Sequence, residues 1–223
     1  MVNTILNVKN LSFEPDNKSI IKDATFDIYE DELIRIEGPS GSGKSTLLKL
    51  IASLLPKDSG EIFLQGQSID EIHYQDYRKN VSYVAQNPHL FGKTVRDNFD
   101  LVFEAHEASF DESLITDYMN QLGLSHISLD QSIHKVSGGE RQRIGLIRNL
   151  IFPPKILLLD EVTSSLDAEN RKQVWTQILA YKEKHPLTIL WVTHIDEDSV
   201  EPHRVFHIED ANLTATKGDL YVK

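Results

Sequence analysis

The sequence predicts an α/β fold, with apolar strands forming a parallel sheet and a helical insertion at about residues 87–150. Residues 156–159 and 188–192 are unbroken apolar runs of strand length, as expected of strands covered on both faces. Between them and the N-terminal part of the chain, the stretch 87–150 carries polar helical patterns and no convincing strand. The nonapeptide GPSGSGKST at 38–46 joins a short apolar strand to a run with helical spacing, the order of a βα unit.

In chain order, residues 4–9 and 24–29 read as strands, with Asp16-Asn17-Lys18-Ser19 as a turn between them. Residues 33–37 form the strand that enters the glycine-rich loop, and 44–54 the helix that leaves it. A turn and strand follow at 59–64, then a buried strand at 81–85 that ends at Gln86. Residues 111–122 have helical spacing. Pro153-Pro154 stops a further helix, because proline cannot continue one. The strand at 156–159, a helix at 168–184 and the strand at 188–192 complete the core. Val174, Trp175, Ile178 and Leu179 recur at helical spacing and read as packing residues.

Composition narrows the function classes. The chain of 223 residues has no cysteine, which removes disulfides, thiolate zinc sites and cysteine nucleophiles together. A net charge of −11 argues against a broad basic surface for nucleic acid or anionic lipid. No apolar run approaches the roughly 20 residues needed to span a bilayer. The N-terminus lacks a basic region followed by an apolar stretch, so no secretory leader is expected. Membrane association, if present, is therefore expected to run through a protein partner, without direct lipid insertion. Histidines show no metal-ligand spacing beside an acid.

Three stretches carry chemistry. GPSGSGKST matches G-x-x-x-x-G-K-[ST] at Gly38, Gly43, Lys44 and Ser45, the pattern of a loop whose backbone N–H groups cradle phosphate oxygens. In such a loop Lys44 reaches the β- and γ-phosphates, the Ser45 hydroxyl binds Mg²⁺, and the phosphates also meet a helix N-terminus. Asp160-Glu161 closes an apolar strand, where ligand sites of parallel sheets lie. Asp160 fits the acid that holds Mg²⁺, and Glu161 a general base for the attacking water. Finally, Ser137 and Glu140 in VSGGE form an S-x-x-E capping box. The cap does not account for Gly138-Gly139, since glycine costs roughly 1 kcal/mol against alanine within a helix. A second anion approaching that helix start satisfies the pattern, and two chains head to tail could present both phosphate sites to one nucleotide.

At this point the sequence resembles the nucleotide-binding subunit of an ABC transporter. GPSGSGKST looks like the Walker A motif, ILLLDE the Walker B motif, VSGGERQR the signature, SSLD at 164–167 the D-loop, and WVTH the switch histidine. The resemblance implies a P-loop NTPase (RecA-like) core with an antiparallel β subdomain and an inserted α-helical subdomain. It divides the single domain into a core of 1–86 and 151–223 and a helical part of 87–150. It implies ATP and Mg²⁺ as cofactors. Gly38, Pro39, Ser40, Gly41, Ser42, Gly43, Lys44, Ser45 and Thr46 would hold ATP, joined by Ser137, Gly138, Gly139, Glu140 and Asp167. Ser45, Gln86 and Asp160 would hold the metal, and Glu161, His194 and Gln86 would be catalytic. It further implies a homodimer around two ATP, a transmembrane permease as partner, and a place on the cytoplasmic face of the membrane. Phe91 and Phe99 would contact the permease.

The signature departs from the family in Val136 and Glu140, which stand for leucine and glutamine. Pro15 stands where the family stacks an aromatic on adenine, leaving Phe13 as a substitute. A finer resemblance, through VSYVAQNPHLFGKTVRDNF, GLIRNL and WVTHIDED, is to Fet-type bacterial metal-efflux ATPases, described as iron exporters. The competing reading is a soluble ABC-type ATPase acting on nucleic acid or ribosomes; the acidic charge and the absence of cysteine weigh against it.

Overall fold

A computed structural model describes residues 3–164, 166–193 and 200–217. The chain forms two compact units, the first built from Met1–Tyr83, Pro154–Glu161 and Pro186–Lys223, the second from Val84–Pro153 and Val162–His185.

The first unit contains two sheets. Strands β1 (Thr4–Phe13) and β2 (Ile21–Tyr29) pair antiparallel, and β4 (Ser59–Leu64) and the two-residue β5 (Gln67–Ser68) extend them in the order β2-β1-β4-β5. The second sheet has the order β10-β9-β3-β8-β7-β6. Its centre is parallel: β3 (Leu33–Glu37) lies between β8 (Thr188–Val192) and β9 (Arg204–Glu209), and β7 (Ile156–Asp160) follows β8. β6 (Val81–Val84) takes one edge, and β10 (Asn212–Lys217) runs antiparallel on the other. Every residue of β7 and β8 is buried, which is why both strands are apolar apart from Asp160 at the end of β7 and Thr188 at the start of β8. Helix α1 (Lys44–Ile51) contributes Leu47, Leu48, Leu50 and Ile51 to the same core as Ile34, Ile36, Leu158 and Leu190. A short helix α2 (Tyr74–Asn80) precedes β6.

The expected strands at 4–9 and 24–29 are longer in the structure, and the helix after the loop ends at Ile51 rather than 54. β9 and β10 have no counterpart in the sequence reading. β9 is held by Arg204, whose guanidinium pairs with the fully buried Glu32 and donates to Asp27 O at 2.6 Å. A buried carboxylate of this kind is tolerated because it is paired and also accepts the Tyr29 N–H.

The second unit is helical: α3 (Val95–Ala105), α4 (Glu112–Gln121), α5 (Gly138–Leu150) and α6 (Ala168–Lys184). Thr94 and Asp97 form a capping box at the start of α3, and Asp111 caps α4. Phe99, Ile115, Ile144, Ile147, Val174 and Ile178 are buried within it. The Tyr118 and Tyr181 hydroxyls donate to Leu150 O, satisfying a carbonyl that the end of α5 leaves without a helical partner. Phe99 is fully buried in α3, so its expected role as an exposed contact is corrected; Phe91 remains 43 % exposed, with the Arg148 guanidinium over its ring.

Candidate nucleotide site

β3 delivers the chain to Gly38, whose φ is +141°. A Cβ there would lie 2.1 Å from Ile208 O and 2.8 Å from Ser42 Oγ, so no other residue fits. The loop then curls through Ser42 to Gly43, the N-cap of α1. Lys44 opens that helix, is only 5 % exposed, and donates from Nζ to Gly38 O at 2.8 Å and Pro39 O at 2.9 Å. Burial lowers its pKa, while the nearby charges of Glu161 and Asp160 oppose that shift. The buried Ser42 Oγ has no hydrogen-bond partner among the described residues.

Asp160 ends β7 and is 5 % exposed. Ser45 Oγ donates to its Oδ1 at 2.7 Å, and the Tyr83 hydroxyl donates to its Oδ2 at 2.6 Å. Burial first, then the hydrogen bond to Asp160, pushes the Tyr83 pKa far up, so the phenol stays protonated. Glu161 follows with φ of +52°, a left-handed conformation for a residue that has a Cβ, held by its N–H donating to Val192 O at 3.2 Å. Beside the loop, Lys18, Ser19, Ile20, Pro39, Gly41 and Asp210 are among the residues lining a cavity of about 520 Å³. Phe13, the expected substitute for a stacking aromatic, is half-buried against the core, and Pro15 opens a 3-10 turn.

These residues fit nucleotide phosphates and a divalent cation. The glycine loop is a cradle that a Cβ would fill, Ser42 carries an orphaned hydroxyl, and Lys44 brings an ammonium group to the loop. Ser45 and Asp160 present hard oxygen donors. Among the described residues no cluster of three or more His, Asp or Glu could cage an ion by itself.

The remaining candidates belong to the second unit. Ser137 caps α5 by accepting from Glu140 N at 3.4 Å, and Glu140 Oε2 accepts from Ser137 N at 2.7 Å. His126 Nε2 lies 2.8 Å from Glu140 Oε1, and this bond, followed by the Ser137 N–H, draws the Glu140 pKa down to about 2. Ser137 and Gly138 are exposed, and no atom of the described residues lies within 4 Å of where a Gly138 Cβ would sit; Gly139 approaches Leu166. A Cβ at Gly145 would be 2.6 Å from Pro88 Cβ, and in the same region Gln142 Nε2 donates to Gln86 O at 2.8 Å. The Gln86 side chain donates to Ser164 Oγ at 3.4 Å. Asp167 caps α6, accepting from Asn170 N at 2.9 Å. His194 lies outside the described residues. Tyr83 and His126 escaped sequence reading, because no local pattern marks a partner 77 or 14 residues away.

The family model described as ABC transporter matches residues 21–164, from β2 through the glycine loop to the segment after β7. The chain belongs to the ABC transporter family. It is an ATP-binding ABC ATPase domain with the expected α/β core, antiparallel sheet and helical part. This ABC ATPase is 40 % identical over 196 residues to the probable iron export ATP-binding protein FetA of Escherichia coli K12, covering 88 % of this chain and 87 % of FetA. It is 33 % identical over 213 residues to the energy-coupling factor transporter ATP-binding protein EcfA1 of Oceanobacillus iheyensis, covering 92 % of this chain and 75 % of the relative. A bacterial Atm1-family ABC exporter solved with ATP bound shares its fold, with a TM-score of 0.84 at 23 % identity over 96 % of this chain; the chain spans 38 % of that exporter. Among the described residues of this ABC ATPase no helix is long and apolar enough to cross a membrane.

Proposed function

We propose that this chain powers a membrane exporter by hydrolysing ATP with Mg²⁺, and that its cargo is a metal ion such as iron. Two copies close head to tail around two ATP and act through a permease, so the chain sits peripherally at the cytoplasmic face. The observation that carries the hydrolytic reading is the pair Ser45 Oγ and Asp160 Oδ1 at 2.7 Å, beside Lys44 and ahead of Glu161. Lys44 and the loop N–H groups bind the phosphates. A cation held by Ser45 and Asp160 would offset charge on the β- and γ-phosphate oxygens. Glu161 orients the attacking water and accepts its proton, and His194 contacts the γ-phosphate. Ser137, Gly138, Gly139 and Glu140 of the second copy meet that phosphate at the start of α5, and Asp167 lies close by in the dimer. Export and a metal cargo are supported by the likeness to FetA.

The test uses Glu161→Gln, which keeps shape and hydrogen bonding but removes the proton acceptor. Turnover should fall by about 10²–10⁴-fold, while ATP and Mg²⁺ should trap a dimer on size-exclusion chromatography. Adding Ser137→Arg should abolish that dimer and leave ATP binding intact. A double mutant that dimerises as well as Glu161→Gln alone rules out the shared site.

A further inference from the structure

Asp160 is an almost fully buried carboxylate whose two oxygens are divided between two hydroxyls, Ser45 on Oδ1 and Tyr83 on Oδ2. Only the first follows from the glycine-loop motif. A buried carboxylate needs donors on its lone pairs, and each donor also fixes the plane of the group. Ser45 has one hydroxyl proton, which it gives to Asp160; its oxygen lone pairs stay free to face a cation. That arrangement holds only while the carboxylate cannot turn away. The far oxygen is secured by a side chain from β6, the edge strand, through a bond of 2.6 Å.

We infer that Tyr83 is a positioning residue for the cation that accompanies ATP: its hydroxyl pins Asp160 Oδ2 and thereby keeps Asp160 Oδ1 and Ser45 Oγ aligned on the metal. The inference rests on the reading of Ser45 and Asp160 as the residues that hold the cation. Hydrogen-bond partners of metal-holding carboxylates commonly govern affinity by about 10–100-fold without touching the ion themselves.

The experiment compares ATP affinity in excess Mg²⁺ with ATP affinity in EDTA, by equilibrium dialysis of the purified full chain. Tyr83→Phe should weaken binding in Mg²⁺ by about 10-fold and leave binding in EDTA unchanged, which also reports that the variant is folded. Placed on Asp160→Asn, the same change should add nothing, because the oxygen it aligned has lost its role. A Tyr83→Phe variant that keeps wild-type affinity in Mg²⁺, while Ser45→Ala and Asp160→Asn lose it, overturns the inference and leaves the cation reading standing. If Ser45→Ala and Asp160→Asn also keep it, the cation reading fails and this inference falls with it. Equal losses in Mg²⁺ and EDTA, or additive effects with Asp160→Asn, make Tyr83 a structural residue. Tyr83→Met supplies a second side chain without the hydroxyl; if neither variant binds ATP in EDTA, the role is again structural and the inference is overturned.

Discussion

Gly38 and Gly41 stand three residues apart in one loop and obey different constraints. Gly38 has φ of +141° and a backbone carbonyl, Ile208 O, 2.1 Å from the place a Cβ would take. Gly41 has φ of +77° and, among the described residues, nothing within 4 Å. Gly38→Ala therefore has to move β9 or the loop itself, and should cost at least about 2 kcal/mol. Gly41→Ala meets only the left-handed penalty, about 1 kcal/mol. Urea denaturation of the nucleotide-free chain measures both, and equal costs would contradict the close approach. At this scale the glycine motif told which residue types the loop needs. It did not tell that the reason at position 38 is a strand more than 160 residues further on, since contact between distant segments leaves no local trace.

Among the elements, α5 shows a conflict between stability and function. Its capping box is complete, with Ser137 and Glu140 exchanging both bonds. Gly138, in its first turn, has helical backbone and open space where a side chain would go. Among the described residues packing gives no reason for glycine there, so Gly138→Ala should stabilise the nucleotide-free protein by a few tenths to about 1 kcal/mol. If a phosphate on a second copy docks against this helix start, the same methyl group should weaken ATP-dependent dimerisation of the Glu161→Gln protein. Denaturation and size-exclusion chromatography read the two effects separately. A variant that is more stable and dimerises normally would remove the argument for a second anion at Gly138. The helix and its cap were legible in the sequence because a capping box spans only four residues. The clamp of His126 on Glu140 was not, because it comes from a loop.

For the molecule as a whole, charge governs the expected partners. With −11 on 223 residues, the chain has no electrostatic reason to adsorb to anionic lipid. Lipid flotation with bare anionic vesicles should leave it in the soluble fraction, and recovery on membranes should require a coexpressed permease. Robust binding to protein-free vesicles would contradict this.

The sequence by itself determined the glycine loop, the two buried strands β7 and β8, the cap of α5 and the 168–184 helix, together with the family they belong to. Those features rest on interactions within a few residues, or on burial that an apolar run records directly. Tertiary structure alone decided that β9 and the antiparallel β10 complete the six-stranded sheet, that Glu32 is paired with Arg204, and that Phe99 is core rather than surface. It also decided that Asp160 is shared between Ser45, 115 residues before it, and Tyr83, 77 residues before it. A hydrogen bond depends on where two groups meet in space, and over such separations that meeting is set by the path of the sheet, which no local pattern of residues encodes.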